Sequence, residues 1–133
     1  MGLSKVIFEP RIRNLNWGST TPFNVKEISQ ERYIAGVLHY QFPDGDHSPT
    51  FVSNIGRFVN NLLNSGKEKS FPEAIIIVTH GFSLRVIAKF LLNMSDEDFR
   101  WVRHPKNCFI ANFDIDNLGI ITIQKPLPKR EPT

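Results

Sequence analysis

A chain of 133 residues, 41% hydrophobic and 22% charged, fits one globular domain and is too apolar for a disordered tail. Its 16 basic and 13 acidic residues are scattered without a block of one sign, so the formal charge of +3 argues for neither a nucleic-acid nor a membrane-surface partner. A lone cysteine excludes an internal disulfide, no run approaches ~18 consecutive apolar residues, and no secretory leader opens the chain, so it reads as a soluble, cytoplasmic protein.

The first apolar piece, KVIFE, is stopped by Pro10, and residues 10–23 are rich in turn formers without a period, which reads as an ordered loop. Val6 stands where the Met-Gly-x-x-x-Ser/Thr pattern needs a hydroxyl, so the amino terminus is not read as myristoylated. From Asn24 to about Tyr40 the spacing of Val25, Ile28, Tyr33, Val37 and Leu38 predicts a helix, with Asn24 as its cap and Glu27 as the reciprocal partner. FPDGDHSP is a loop by composition, and Ser48-Pro49 is read as a cap followed by proline at the first helical position. Phe51, Val52, Ile55, Phe58, Val59, Leu62 and Leu63 then recur at three- and four-residue intervals, one apolar stripe that Asn64-Ser65-Gly66 ends.

Residues 74–79, AIIIVT, are a continuous branched run of the kind expected of a central parallel strand covered on both faces. A helix with Leu84, Ile87, Ala88, Leu91 and Leu92 on one face follows after His80-Gly81. Ser95 and Asp98 form a second capping pattern, with Phe99, Trp101 and Val102 as its buried side. CFIANFDI, a turn at DNLG and IITIQ read as a hairpin, and residues 126–133 read as a flexible, extended tail after a domain spanning 1–125. The pattern is α/β with antiparallel strands at the carboxyl end. Cys108 is expected to be buried, as free cysteines commonly are.

His80, at the carboxyl end of the predicted strand, carries the chemistry. The N–H groups of Gly81, Phe82 and Ser83 would face the same space as its ring, and the helix dipole would favour a phosphate or carboxylate there. A structural histidine at a strand end is an equal reading on chemistry alone. His39, His47 and His104 have no metal-ligand spacing and are read as loop or surface imidazoles; no metal and no cofactor is expected. IIIVTHGFS also has the look of the oxyanion segment of α/β-hydrolases, but no G-x-S-x-G elbow occurs in these residues.

A longer resemblance covers most of the chain. PRIRNLNWGSTT, HYQFPDGDHSPTFVSNIGRFVNNLL and IIIVTHGFSLRVIAKFLLNMSDEDFRWVRHPKNCFIANFDI are similar, in order and spacing, to segments of the histidine phosphatase superfamily, also called phosphoglycerate mutase-like, close to its broad-range fungal and plant phosphatases. Asn107, ahead of the final antiparallel strand, also fits. The resemblance implies a three-layer fold, a mixed sheet with helices on both faces. It also implies a two-step phosphoryl transfer through phosphohistidine, a covalent route that splits one displacement into two. On the matching positions, His80 is the second, phosphate-stabilising histidine, with Gly81 and Phe82 beside it.

Three departures follow from the same comparison. No Arg-His-Gly, the motif of the attacking histidine, occurs in the 133 residues. The family's first strand and helix, with their phosphate-binding arginines, are read as missing. Asn14 stands at the general-acid position, where an amide cannot release a proton. Asp46 is the one nearby carboxylic acid that could substitute, against the plainer reading of a loop-stabilising aspartate. The chain is therefore expected to be an incomplete superfamily member, inactive alone, with a phosphate-bearing small molecule as ligand. Two alternatives stand beside this: a pseudoenzyme binding an anion or a protein, or a half-site completed by a partner chain. Loss of the first strand would expose apolar edges around Ile75–Val78, so self-association or a partner is expected.

Overall fold

The computed structural model describes residues 5–131. A 3-10 turn over Pro10–Ile12 is followed by α1 (Val25–Ala35), α2 (Ser48–Ser65), α3 (Gly81–Leu91), α4 (Asp96–Arg100), β1 (Phe113–Ile115) and β2 (Ile121–Ile123). The predicted stripe of α2 is buried as read: Phe51, Ile55 and Val59 are at most 4% exposed, and they face Val86 and Ile87 of α3 in one core. Burial of side chains this size is worth ~1.5–3 kcal/mol each. Aromatic rings extend the same core, with Phe51 stacked on Phe82 at 5.9 Å and Phe82 meeting Phe99 edge-on at 6.3 Å. On its other side Phe42, fully buried, lies 4.8 Å from Trp17 and 5.0 Å from Tyr40.

Several local expectations need correction. α1 stops at Ala35 rather than near Tyr40, because Gly36 takes a φ of 91° that ends the helical run. Asn24 holds the cap position of α1 as read, but its side chain makes no capping bond: its oxygen is taken by the Thr21 N–H at 2.6 Å, so the reciprocal role of Glu27 falls. At α2 the residue outside the first turn is His47, whose ring meets the Thr50 hydroxyl at 2.8 Å. Ser48 lies inside the helix and is fully buried. By contrast Ser95 caps α4 as read, accepting the Asp98 N–H at 3.0 Å, with Phe99 and Val102 buried below and Trp101 partly exposed.

The 74–79 segment departs furthest from expectation. Among the described residues it forms no strand and pairs with none, so it is not a central strand covered on both faces. Ile77 packs on the core while Ile75, Ile76 and Val78 are exposed, the last two at 75% and 88%. The only sheet among the described residues is the β1–β2 hairpin, antiparallel with Phe113 opposite Ile123 and Ile115 opposite Ile121, so the expected three-layer mixed sheet is not formed among them. The hairpin turn is held by Asp116, whose side chain accepts the N–H groups of Leu118 and Ile120, each at 2.9 Å.

Residues 126–131 are extended but fastened. Leu127 is buried, the Arg103 N–H donates to the Pro128 carbonyl at 2.8 Å, and the Arg130 N–H donates to the Trp101 carbonyl at 2.7 Å. The remainder of the predicted tail, 132–133, lies outside the described residues. Cys108 is exposed on a turn with a φ of 63°, not buried, because the chain reverses there before it reaches the core.

Candidate functional site

His80 closes the extended segment with φ −102° and ψ 162°, and its carbonyl accepts the first helical bond of α3, from the Leu84 N–H at 2.8 Å. Among the described residues the N–H groups of Gly81, Phe82 and Ser83 have no acceptor, and with Ser83 fully buried it is the first two, at the positive end of the α3 dipole, that stand next to the exposed imidazole. Phe82 contributes only its N–H, since its ring is in the core.

Two hydroxyls place this turn against the amino-terminal loop. Ser83, fully buried, donates to the Arg13 carbonyl at 2.8 Å, and Thr79 donates to the Ile12 carbonyl at 2.6 Å. The loop carrying Asn14 is thus fixed to the first turn of α3. Asn14 itself is exposed, and the one bond recorded for it is to its carbonyl, from the Arg13 guanidinium at 2.8 Å.

Asp46 reaches the same loop from the other side. Its two oxygens take the Arg13 guanidinium in a fork, each at 2.7 Å, and one also accepts the Asn16 N–H at 2.6 Å. The bond from Arg13 outweighs the opposing effect of partial burial and, with the Asn16 N–H, holds the carboxyl below the usual carboxylate range. A group that gives up its proton this readily is poorly suited to be a general acid at neutral pH; its geometry is that of a loop clamp. Arg13 also lies 5.3 Å over the Phe51 ring, which ties the clamp to the core.

One neighbour of the turn is not legible in the sequence. The His104 ring lies where a side chain on Gly81 would be, 2.4 Å from the position a Cβ would take. Gly81 is therefore required by close approach, and a residue read as a loop imidazole stands at the site. Burial is the main cause that pushes His104 below its ordinary value, with Arg85, Arg32 and Arg130 adding to it. Gly81 is 23 positions away on another element, a distance that no local motif encodes. Among the described residues no group of three or more His, Cys, Asp or Glu side chains is placed to hold a metal, and no helix is long and apolar enough to cross a membrane.

A helix amino terminus thus follows a histidine and is tied to the loop after the Pro-Arg-Ile-Arg run. Residues 2–123 match the histidine phosphatase superfamily (branch 1), and the chain belongs to that superfamily. It is similar to "Phosphoglycerate mutase 3" of Saccharomyces cerevisiae, 28% identical over 107 residues, which cover 78% of this chain and 35% of the yeast protein. The chain thus spans about a third of the length of that curated relative. No solved structure matches it significantly.

Proposed function

We propose that this chain carries the phosphate-stabilising half of a phosphomonoester site, and that it does not hydrolyse phosphomonoesters by itself. The observation that supports this is the pair of N–H groups at Gly81 and Phe82, without acceptors among the described residues, beside the exposed His80. Backbone donors and an imidazole aimed at one point suit the equatorial oxygens of a phosphoryl group, whose transition state is stabilised by positioning and charge. His80 donates to a phosphoryl oxygen, and Gly81 and Phe82 supply N–H groups.

The attacking histidine is assigned outside the 133 residues, because no Arg-His-Gly occurs in them. Asn14 occupies the acid position without a proton to give, and Asp46 is committed to Arg13. Loss of general-acid help alone costs ~10²–10⁴ in rate, but loss of the covalent nucleophile removes the route. Within the superfamily the chain's segments are close in pattern to the broad-range fungal and plant phosphatases, and a cytoplasmic setting fits the composition. A half-site completed by further polypeptide is favoured over a free-standing pseudoenzyme by one observation: the segment leading to His80 presents Ile76 and Val78 to solvent, with no strand beside it among the described residues.

The test is hydrolysis of a generic aryl phosphate by the purified chain and by His80→Ala. Equal, background rates are expected, and a clear His80-dependent rate would overturn the proposal. For binding, phenyl phosphate should perturb the amide resonances of Gly81, Phe82 and Ser83 in the parent and much less in His80→Ala; an unchanged response in the variant removes His80 from the site.

A further inference from the structure

Three arginines from distant parts of the chain converge beside the turn just described. Arg32 comes from α1, Arg85 from α3 and Arg130 from the fastened carboxyl segment. Arg85 is 3% exposed, and the Nε atoms of both Arg85 and Arg32 are buried without any hydrogen-bond acceptor. Among the described residues none of the three forms an ion pair: the acids that are paired serve Arg11, Arg13, His39 and Lys89. Burying an arginine this way costs free energy unless something offsets it.

Part of the offset is aromatic. The Arg85 guanidinium lies 4.6 Å over Phe99, and that of Arg32 lies 4.9 Å over Phe82 and 5.2 Å over Trp17. Stacking satisfies the flat faces of the forks but leaves their N–H edges without acceptors. It also leaves the mutual repulsion. Arg85 and Arg32 are both pulled down to about 10, first by burial and then by Arg130, and Arg85 also by Arg32.

Arg85 and Arg130 open onto a cleft of about 370 Å³ between α1 and α4, lined also by Tyr33, Gly36, Phe99 and Arg100. Asp96 lies on its wall, but its carboxylate is engaged by Lys89 at 3.0 Å and by His39 at 3.7 Å. His80 does not line it.

We propose that Arg85 and Arg130, with Arg32 behind them, form a second anion site that takes a doubly charged oxyanion of the phosphate type in this cleft. Three guanidinium groups exceed what one carboxylate neutralises, whereas a phosphate dianion offers both the charge and enough oxygens for forked bonds. Because Arg130 belongs to the carboxyl segment, the bound ion ties residues 126–131 to α1 and α3. The site does not rest on the phosphatase reading and is separable from the His80 turn.

His104 reports on it, since the same three arginines act on its ring. In an NMR titration of the purified chain, inorganic phosphate should raise the pKa of His104, while chloride at matched ionic strength should not. The phosphate concentration for half effect should rise at least about tenfold in Arg130→Ala, the cost of one charged hydrogen-bond donor. It should stay the same in His80→Ala. Arg130 is exposed, so its replacement leaves the core intact, and Arg130→Lys should recover part of the affinity. Phenyl phosphate in a parallel arm distinguishes a free ion from a phosphoryl group on a larger ligand, either of which fits the site. A His104 titration indifferent to phosphate, or an Arg130→Ala variant that saturates like the parent, would sink the proposal. So would loss of the response in His80→Ala, which would place the ion at the turn.

Discussion

The hydroxyl of Ser83 donates to the carbonyl of Arg13 at 2.8 Å, across 70 positions of sequence, and Ser83 is fully buried. This bond joins the first turn of the helix that faces the anion to the loop that carries the Arg13–Asp46 clamp. A serine there satisfies a loop carbonyl from inside the fold.

Replacement of Ser83 by alanine should therefore destabilise the chain by about 1 kcal/mol, since a part-buried carbonyl loses its donor while the backbone stays in place. Urea unfolding should show a lower midpoint with an unchanged slope. An unshifted midpoint would mean that water replaces the hydroxyl and that the loop is held by other contacts.

The clamp sets an acid limb. Asp46 is held below its ordinary value first by the bond from Arg13, against the opposing effect of burial, and further by the Asn16 N–H. The unfolded chain, with an aspartate near ~3.9, takes up the proton first. The clamp's contribution is thus complete above that pH and is lost as pH falls through the lower folded value. Arg13 is half exposed, so solvent screening limits the contribution to about 1 kcal/mol. Asp46→Asn should lower stability at pH 7 by that amount and flatten its decline between pH 5 and 3. A variant that still shows the full acid limb would assign it to another carboxylate.

At His104 the same sign arises from a different cause. Burial and then the three arginines hold its folded value below the ordinary histidine value, so the unfolded chain binds the proton at higher pH. Stability is present above the unfolded value, near ~6.5, and is lost as pH falls through the folded one. Gly81→Ala places a methyl group where the ring lies and should push the imidazole outward. Its pKa, followed by proton NMR, should rise toward the ordinary value, and the loss of stability below pH 6.5 should shrink. An unchanged titration would show that the ring keeps its place and that α3 shifts instead.

What the sequence discloses depends on how far apart the cooperating residues are. The α2 stripe, the Ser95 cap and the hairpin rest on neighbours within a few positions, and each is formed as read. Asn24 sits at its cap position with equally good local grammar but makes no capping bond, because Thr21 offers the same side chain a competing one. His80 and its helix were visible because strand-end histidine and helix onset are adjacent. His104 and the arginine cluster were not, since α1, α3 and the carboxyl segment meet only after folding. Residues 74–79 mark the converse limit: a run of Ile and Val reports a preference for extended backbone, but pairing needs a neighbour that no single segment specifies.

That same segment gives the sharpest test of a missing neighbour. Ile76 and Val78 project outward from an extended backbone without a strand beside it among the described residues, while Ile77 packs inward. Such an edge offers unpaired backbone groups together with apolar side chains, the combination that recruits another strand. The purified chain should therefore self-associate in sedimentation equilibrium. Burial of one such side chain is worth ~1.5–3 kcal/mol, so Ile76→Lys or Val78→Lys should weaken association at least about tenfold without lowering the unfolding midpoint of the monomer. Ile77→Lys should do the opposite, lowering the midpoint because it places a charge against the core. If all three variants associate like the parent, the contact lies elsewhere. If Ile76→Lys and Ile77→Lys destabilise the monomer equally, the two side chains do not face opposite sides of the segment.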